Sequence, residues 1–233
     1  MNAAPHAPAG WDCHAHLFGP YDRFPLAPER SYTPPEAVAP QYLALLAHLG
    51  LGHGVLVHPS AYGEDHALLL HALAAHDNLR GVVVVQPGSR LALSGLHAEL
   101  WTDIQALPGI AAELKALPVP VVIDHMGGFD VEAGIDALGF RVLLELLASG
   151  RTWVKLCAYR NLLNAPDWQA GRAFQQKMVE TNPERLVWVS DWPHLRVAPA
   201  PDTAALLAMF KDWTGNEEAA RQVLEANPAV LYR

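Results

Sequence analysis

Only two cysteines, Cys13 and Cys157, occur in 233 residues. That is too few for a disulfide framework. Both sit in apolar strand-like runs, where a buried, reduced thiol is the expected state. Positive charge is also scarce: 16 Lys and Arg stand against 24 Asp and Glu, a net charge of −8. A nucleic-acid surface needs basic patches to neutralise phosphates, so no nucleic-acid partner is expected. No run reaches the roughly 18 apolar residues a membrane-spanning helix requires. No early segment joins a charged start, an apolar stretch and a cleavage site. The expectation is therefore a cytoplasmic protein without a membrane partner, and a homo-oligomer is compatible with the sequence. No glycine-rich phosphate loop follows the first apolar run, which counts against an open, doubly wound nucleotide-binding sheet. What is present, 51% hydrophobic and 17% charged residues, describes an ordered chain with one sizeable core. Residues 1–233 are expected to form a single domain.

Strand and helix signals alternate along the chain. Continuous apolar runs mark strands at Trp11 to Phe18, Gly54 to His58, Gly81 to Gln86, His97 to Trp101, Val119 to Asp124, Thr152 to Cys157 and Leu186 to Ser190. Helical spacing marks Glu36 to Leu49, Glu64 to Asp77, Asp103 to Leu117, Gly139 to Ser149, Trp168 to Thr181, Thr203 to Trp213 and Asn216 to Ala226. Strands apolar on both faces belong to a parallel sheet covered by helices. Unbroken repetition of the unit points to an α/β fold of the TIM-type (β/α) barrel. Seven strands are found where that barrel has eight. Between Gln86 and His97 lie only ten residues, fewer than a parallel crossover normally takes. Either the barrel lacks one βα unit there, or this stretch bridges the gap in an unusual way.

Two strand-end signatures carry the chemistry. In Asp12-Cys13-His14-Ala15-His16 alternation places His14 and His16 on one face. In Ser190-Asp191-Trp192-Pro193-His194 a late strand ends in a carboxylate. His125 closes a third apolar run, Val121-Val122-Ile123-Asp124-His125. Two or three imidazoles and a carboxylate either activate water directly or hold a metal such as Zn²⁺. Asp191 fits the base; His14, His16 and His125 fit the groups that polarise a carbonyl, or, with Asp191, the ligands of one metal. Arg160, after an apolar strand, suits a substrate carboxylate, and Tyr159, His194 and Ser60 are further substrate-binding candidates. Asp12 reads as structural, and Lys155, inside a strand, would be costly to bury without a partner.

Six motifs together resemble the amidohydrolase superfamily, in the branch of 2-pyrone-4,6-dicarboxylate lactonase-like hydrolases. They are Asp-Cys-His-Ala-His-Leu-Phe-Gly-Pro (12–20), Val-His-Pro-Ser-Ala-Tyr-Gly-Glu-Asp (57–65), Val-Ile-Asp-His-Met-Gly (122–127), Trp-Val-Lys-Leu-Cys-Ala-Tyr-Arg (153–160), Ser-Asp-Trp-Pro-His (190–194) and Asn-Pro-Ala-Val-Leu-Tyr (227–232). The resemblance implies a TIM-type barrel that hydrolyses a lactone or related ester, with His14 and His16 ending the first strand, His125 the sixth and Asp191 the eighth. It implies a metal-independent branch, although other branches need a metal, so the cofactor is none or one divalent ion. It also identifies what is missing: the family carries a strand with basic residues between the parts matching Val85 and Leu96. The carboxylate-binding arginines of that segment have no counterpart here, which counts against a dicarboxylate substrate.

The expected activity is thus opening of a lactone of a small carboxylic acid by an Asp191-activated water. Two rivals remain on the sequence. One is a single-zinc amidohydrolase, or a decarboxylase of an aromatic-derived acid. The other is a non-catalytic barrel remnant lacking a βα unit.

Overall fold

The computed structural model describes residues 9–84, 96–163 and 168–232. Their contacts group them into two compact units. The first contains residues 9–84, 189–207 and Tyr232; the second contains 96–163, 168–188 and 208–231. Seven strands are present among the described residues, and every pairing between them is parallel.

The first unit is built on β1 (Trp11–Ala15), β2 (His53–Val57) and β3 (Leu79–Val82), in the order β1-β2-β3. All five β1 residues are buried, the polar Asp12 and His14 included. A bulge between Asp12 and Ala15 shifts its register against β2. On the other edge of β1, the segment after Ser190 pairs in parallel at Ala15 and Trp192. Helix α1 (Ala39–Leu49) follows β1 and ends at Gly50, whose φ of 69° suits a residue without a Cβ. Helix α2 (Ala67–Ala75) follows β2. Strand β3 starts two residues before the apolar run that predicts it. Its register pairs Gly54 with Leu79 and Val57 with Val82, and Val83 and Val84, beyond the pairing, are exposed. The expected end of this strand, Val85-Gln86, lies outside the described residues, as does most of the short link to His97.

The second unit holds β4 (Ala98–Leu100), β5 (Val121–Ile123), β6 (Thr152–Leu156) and β7 (Leu186–Trp188) in that order. Helix α3 (Leu107–Ala116) joins β4 to β5, α4 (Leu138–Ala148) joins β5 to β6, and α5 (Arg172–Thr181) joins β6 to β7. Helix α4 buries Gly139, Phe140, Leu143, Leu146 and Leu147, the three-and-four spacing of one helical face. Helix α6 (Thr203–Thr214), α7 (Glu217–Arg221), one π turn at Gln222–Ala226 and α8 (Asn227–Leu231) end the chain. No helix among the described residues is long and apolar enough to cross a membrane. Cys13 and Cys157 are both buried and form no disulfide.

Candidate active site

Asp12 organises the first unit's strand ends. It is fully buried and accepts hydrogen bonds from Ser190 N (2.8 Å), Ser190 Oγ (2.6 Å) and Tyr42 OH (3.1 Å). The amide of His14 approaches the same carboxyl at 3.4 Å. Burial pushes its pKa from 3.8 up to about 6, although every one of these donors pulls the other way. Burial and the neighbouring Asp12 hold the Tyr42 phenol well above its usual range, so it stays a donor. Ser190 Oγ in turn accepts from Trp192 N at 3.0 Å. One carboxyl therefore ties β1 to a segment 178 residues further along the chain.

This tie delivers Asp191. Its amide donates to His14 O at 2.9 Å, and its backbone is left-handed at φ 58°. That conformation is uncommon outside glycine, although Asp tolerates it better than most residues. It aims a buried carboxylate at His14 of β1 and His16 just beyond it: Oδ1 lies 4.0 Å from His14 Nε2 and 3.9 Å from His16 Nε2. The two Nε2 atoms are 3.2 Å apart. His16 Nδ1 lies 2.8 Å from Val57 O. A carbonyl can only accept, so Nδ1 carries a proton; Nε2 is then a lone pair in the neutral ring and a second N–H donor in the imidazolium.

The three groups fit one divalent cation. Their ligand atoms lie within 4.8 Å of one another. Two nitrogens on one tetrahedral zinc stand roughly 3.3 Å apart, close to the spacing seen here. A carbonyl acceptor behind a ligating imidazole is the support such ligands usually have.

His194 lies on the same turn. Its amide bonds Asp191 O at 2.9 Å and its Nε2 lies 2.8 Å from Thr203 Oγ1, which orients the ring. Ser60 opens a short 3-10 turn after β2 and is exposed.

His125, Tyr159 and Arg160 belong to the second unit. His125 follows β5 in a run of left-handed residues, with φ of 48° at His125, 56° at Met126 and 70° at Gly127. Asn161 Nδ2 donates to His125 O at 2.8 Å. Tyr159 is buried on the 3-10 turn after β6, and the Arg160 guanidinium lies 5.4 Å from its ring centroid. Lys155 is fully buried in β6, where it ion-pairs with Glu99 of β4 and lies 3.2 Å from Asp124 Oδ1. Pattern reading finds none of Tyr42, the Val57 carbonyl, Glu99 or Asn161. Each acts through a partner 30 or more residues away, and only strand register brings such pairs together.

A protein-family model described as amidohydrolase matches residues 11–94 and 90–233. The chain belongs to the amidohydrolase family. The amidohydrolase match runs through both units and breaks into two pieces at the short link. Among curated relatives, a 4-sulfomuconolactone hydrolase from Hydrogenophaga intermedia is 29% identical over 269 aligned positions, covering 97% of this chain and 89% of the relative. A 2-pyrone-4,6-dicarboxylate hydrolase from Comamonas testosteroni is 29% identical over 276 positions, covering 97% and 90%. Both alignments are longer than the chain, so both relatives carry residues it lacks. A crystal structure from Pseudomonas putida, described as that of a putative 2-pyrone-4,6-dicarboxylic acid hydrolase, superposes with a TM-score of 0.84 at 26% identity, covering 97% of each chain. The fold class is the expected one: α/β of the (β/α)-barrel type, with seven strands among the described residues.

Proposed function

We propose that this amidohydrolase opens a lactone of a small carboxylic acid. The convergence of Asp191 with His14 and His16 supports this reading most, together with relatives that are lactone hydrolases. Asp191 takes a proton from water as the water oxygen attacks the lactone carbonyl carbon. Imidazole N–H groups among His14, His16 and His125 donate to the oxyanion of the tetrahedral intermediate. The ring C–O bond then breaks, and the leaving oxygen takes the proton back from Asp191. Water and lactone become one hydroxy acid, or its keto form from an enol lactone. Arg160 pairs with a substrate carboxylate, and Tyr159, His194 and Ser60 are the further substrate-binding candidates. Two buried cysteines outside any disulfide fit a reducing, cytoplasmic setting.

Asp191→Asn keeps the size and the hydrogen-bonding shape of the side chain but cannot take the proton. Hydrolysis of a panel containing 4-sulfomuconolactone, 2-pyrone-4,6-dicarboxylate and simple monocarboxylate lactones is expected to fall by on the order of a thousandfold or more. The variant's melting curve should stay unchanged. Activity retained in Asp191→Asn overturns the assignment. A folded wild-type protein that turns over no lactone favours a non-catalytic barrel.

The donor set favours one second reading, a single-metal enzyme. His14, His16 and Asp191, with His125 as the further candidate, would hold the ion, and the metal would supply a Lewis acid for the carbonyl. Elemental analysis of pure protein, with activity measured before and after a chelator, separates the two. A stoichiometric metal whose removal abolishes turnover selects the metal form.

A further inference from the structure

Lys155 is the one lysine inside a strand, and the lactone chemistry does not use it. Around it β6 reads Thr-Trp-Val-Lys-Leu, all buried. A well-packed apolar residue at such a position is usually at least as stable as a buried ion pair. The lysine therefore calls for a local reason, and the register supplies one. Ile123 pairs with Val154, so the next residues along the two strands, Asp124 and Lys155, fall side by side. The ammonium holds Asp124 at 3.2 Å, and Glu99 gives it a second carboxylate from β4.

Asp124 begins the turn that carries His125. That turn places two successive non-glycine residues, His125 and Met126, in the left-handed region. Each costs roughly 1–2 kcal/mol, so the surroundings must impose the shape. Met126 is fully buried. At Gly127 a Cβ would come within 3.0 Å of Leu143 and 3.1 Å of Ile104. Asn161 grips the His125 carbonyl at 2.8 Å. Both polar grips come from one stretch of chain, β6 and the turn after it: Lys155 on the first residue of the turn, Asn161 on the second.

We propose that Lys155 and Asn161 are positioning residues for His125, holding the strained turn from β6 and so aiming the imidazole. The role rests on the reading of His125 as a carbonyl-polarising group. Their grips fall on the Asp124 carboxylate and the His125 carbonyl. A misplaced catalytic group loses rate rather than binding, so their removal acts on kcat and leaves KM.

The test uses the full chain and the lactone it turns over best. Asn161→Ala removes one grip and strands no buried charge. Lys155→Met/Glu99→Leu removes the ammonium together with one of its two carboxylates, so that only Asp124, whose lost grip the variant tests, is left without it. Both are expected to lower kcat on the order of tenfold or more with KM within about twofold. A readout independent of turnover is methyl NMR of the four methionines. The Met126 methyl should shift or broaden in both variants, while Met178 of α5 should not move. His125→Ala separates the two ways of failing. Wild-type kcat in His125→Ala overturns the reading of His125, and the positioning role with it. Activity lost in His125→Ala but kept in the other two variants, or a Met126 methyl that does not move, overturns positioning alone.

Discussion

His97, just before β4, and Glu99, within it, are pushed in opposite directions by the same burial. Burial first, and the Lys155 ammonium second, lower the His97 imidazole from 6.5 to about 4. Burial first, helped by Asp124 and opposed by Lys155, raises the Glu99 carboxyl from 4.5 to about 7. In the folded chain His97 stays neutral through the range in which the unfolded chain protonates it. It therefore subtracts stability as pH falls from 6.5 towards 4. Folded Glu99 keeps a proton that the unfolded chain releases above 4.5. It therefore adds stability at low pH, and that contribution is lost as pH rises towards 7. Between pH 4.5 and 6.5 the two cancel in part. Removing either one should expose the other. From about pH 7 to about pH 5, His97→Gln is expected to gain, and Glu99→Gln to lose, about 1–2 kcal/mol. Urea midpoints at the two pH values measure it. Equal pH slopes in the two variants would contradict the opposition.

Two helical glycines make opposite predictions for the elements that hold them. Gly139 is the second residue of α4, and a Cβ there would lie 2.0 Å from the carbonyl oxygen of Ile104. Backbone cannot step aside as a side chain end can. Gly139→Ala should therefore displace α4 from the segment before α3 and cost about 3 kcal/mol or more. Gly109 lies in α3, and a methyl added there would meet nothing within 4 Å. Gly109→Ala should stabilise by roughly 0.5–1 kcal/mol, the ordinary helical difference. Thermal melts of the two variants should move in opposite directions; a Gly139→Ala protein as stable as wild type would show that the contact yields. The pair also marks what the sequence can tell. Gly50 announces the end of α1 because a left-handed cap is a local requirement. The need for glycine at 139 comes from a residue 35 positions away, and no local pattern carries it. β5 was legible because a strand buried on both faces needs an unbroken apolar run, and β1 and β6 because only a few polar residues interrupt theirs. The start of β3 was not, because its pairing with β2, rather than its own hydrophobicity, chooses Leu79.

At the scale of the whole chain, the short link was legible as a missing strand, since seven apolar runs and a ten-residue connection cannot supply eight βα units. The broken family match and the longer alignments agree with that reading. Of the site, the residue types at strand ends were legible: His14, His16 and Asp191 do converge. Their support was not, because Asp12 reaches Ser190 and His16 reaches Val57 only once the strands are in register. The missing unit bears on substrate choice. A guanidinium fork binds one carboxylate well, and Arg160 is the arginine among the proposed substrate-binding residues. Sixteen basic residues in a chain of net charge −8 leave few others to recruit. A second substrate carboxylate would then be desolvated without a full partner, at a cost of several kcal/mol if buried. Lactones with a single carboxylate are therefore expected to exceed 2-pyrone-4,6-dicarboxylate in kcat/KM by on the order of tenfold or more. Arg160→Met should narrow that gap by slowing the monocarboxylates. A highest kcat/KM on the dicarboxylate would mean that residues outside this set bind the second acid group.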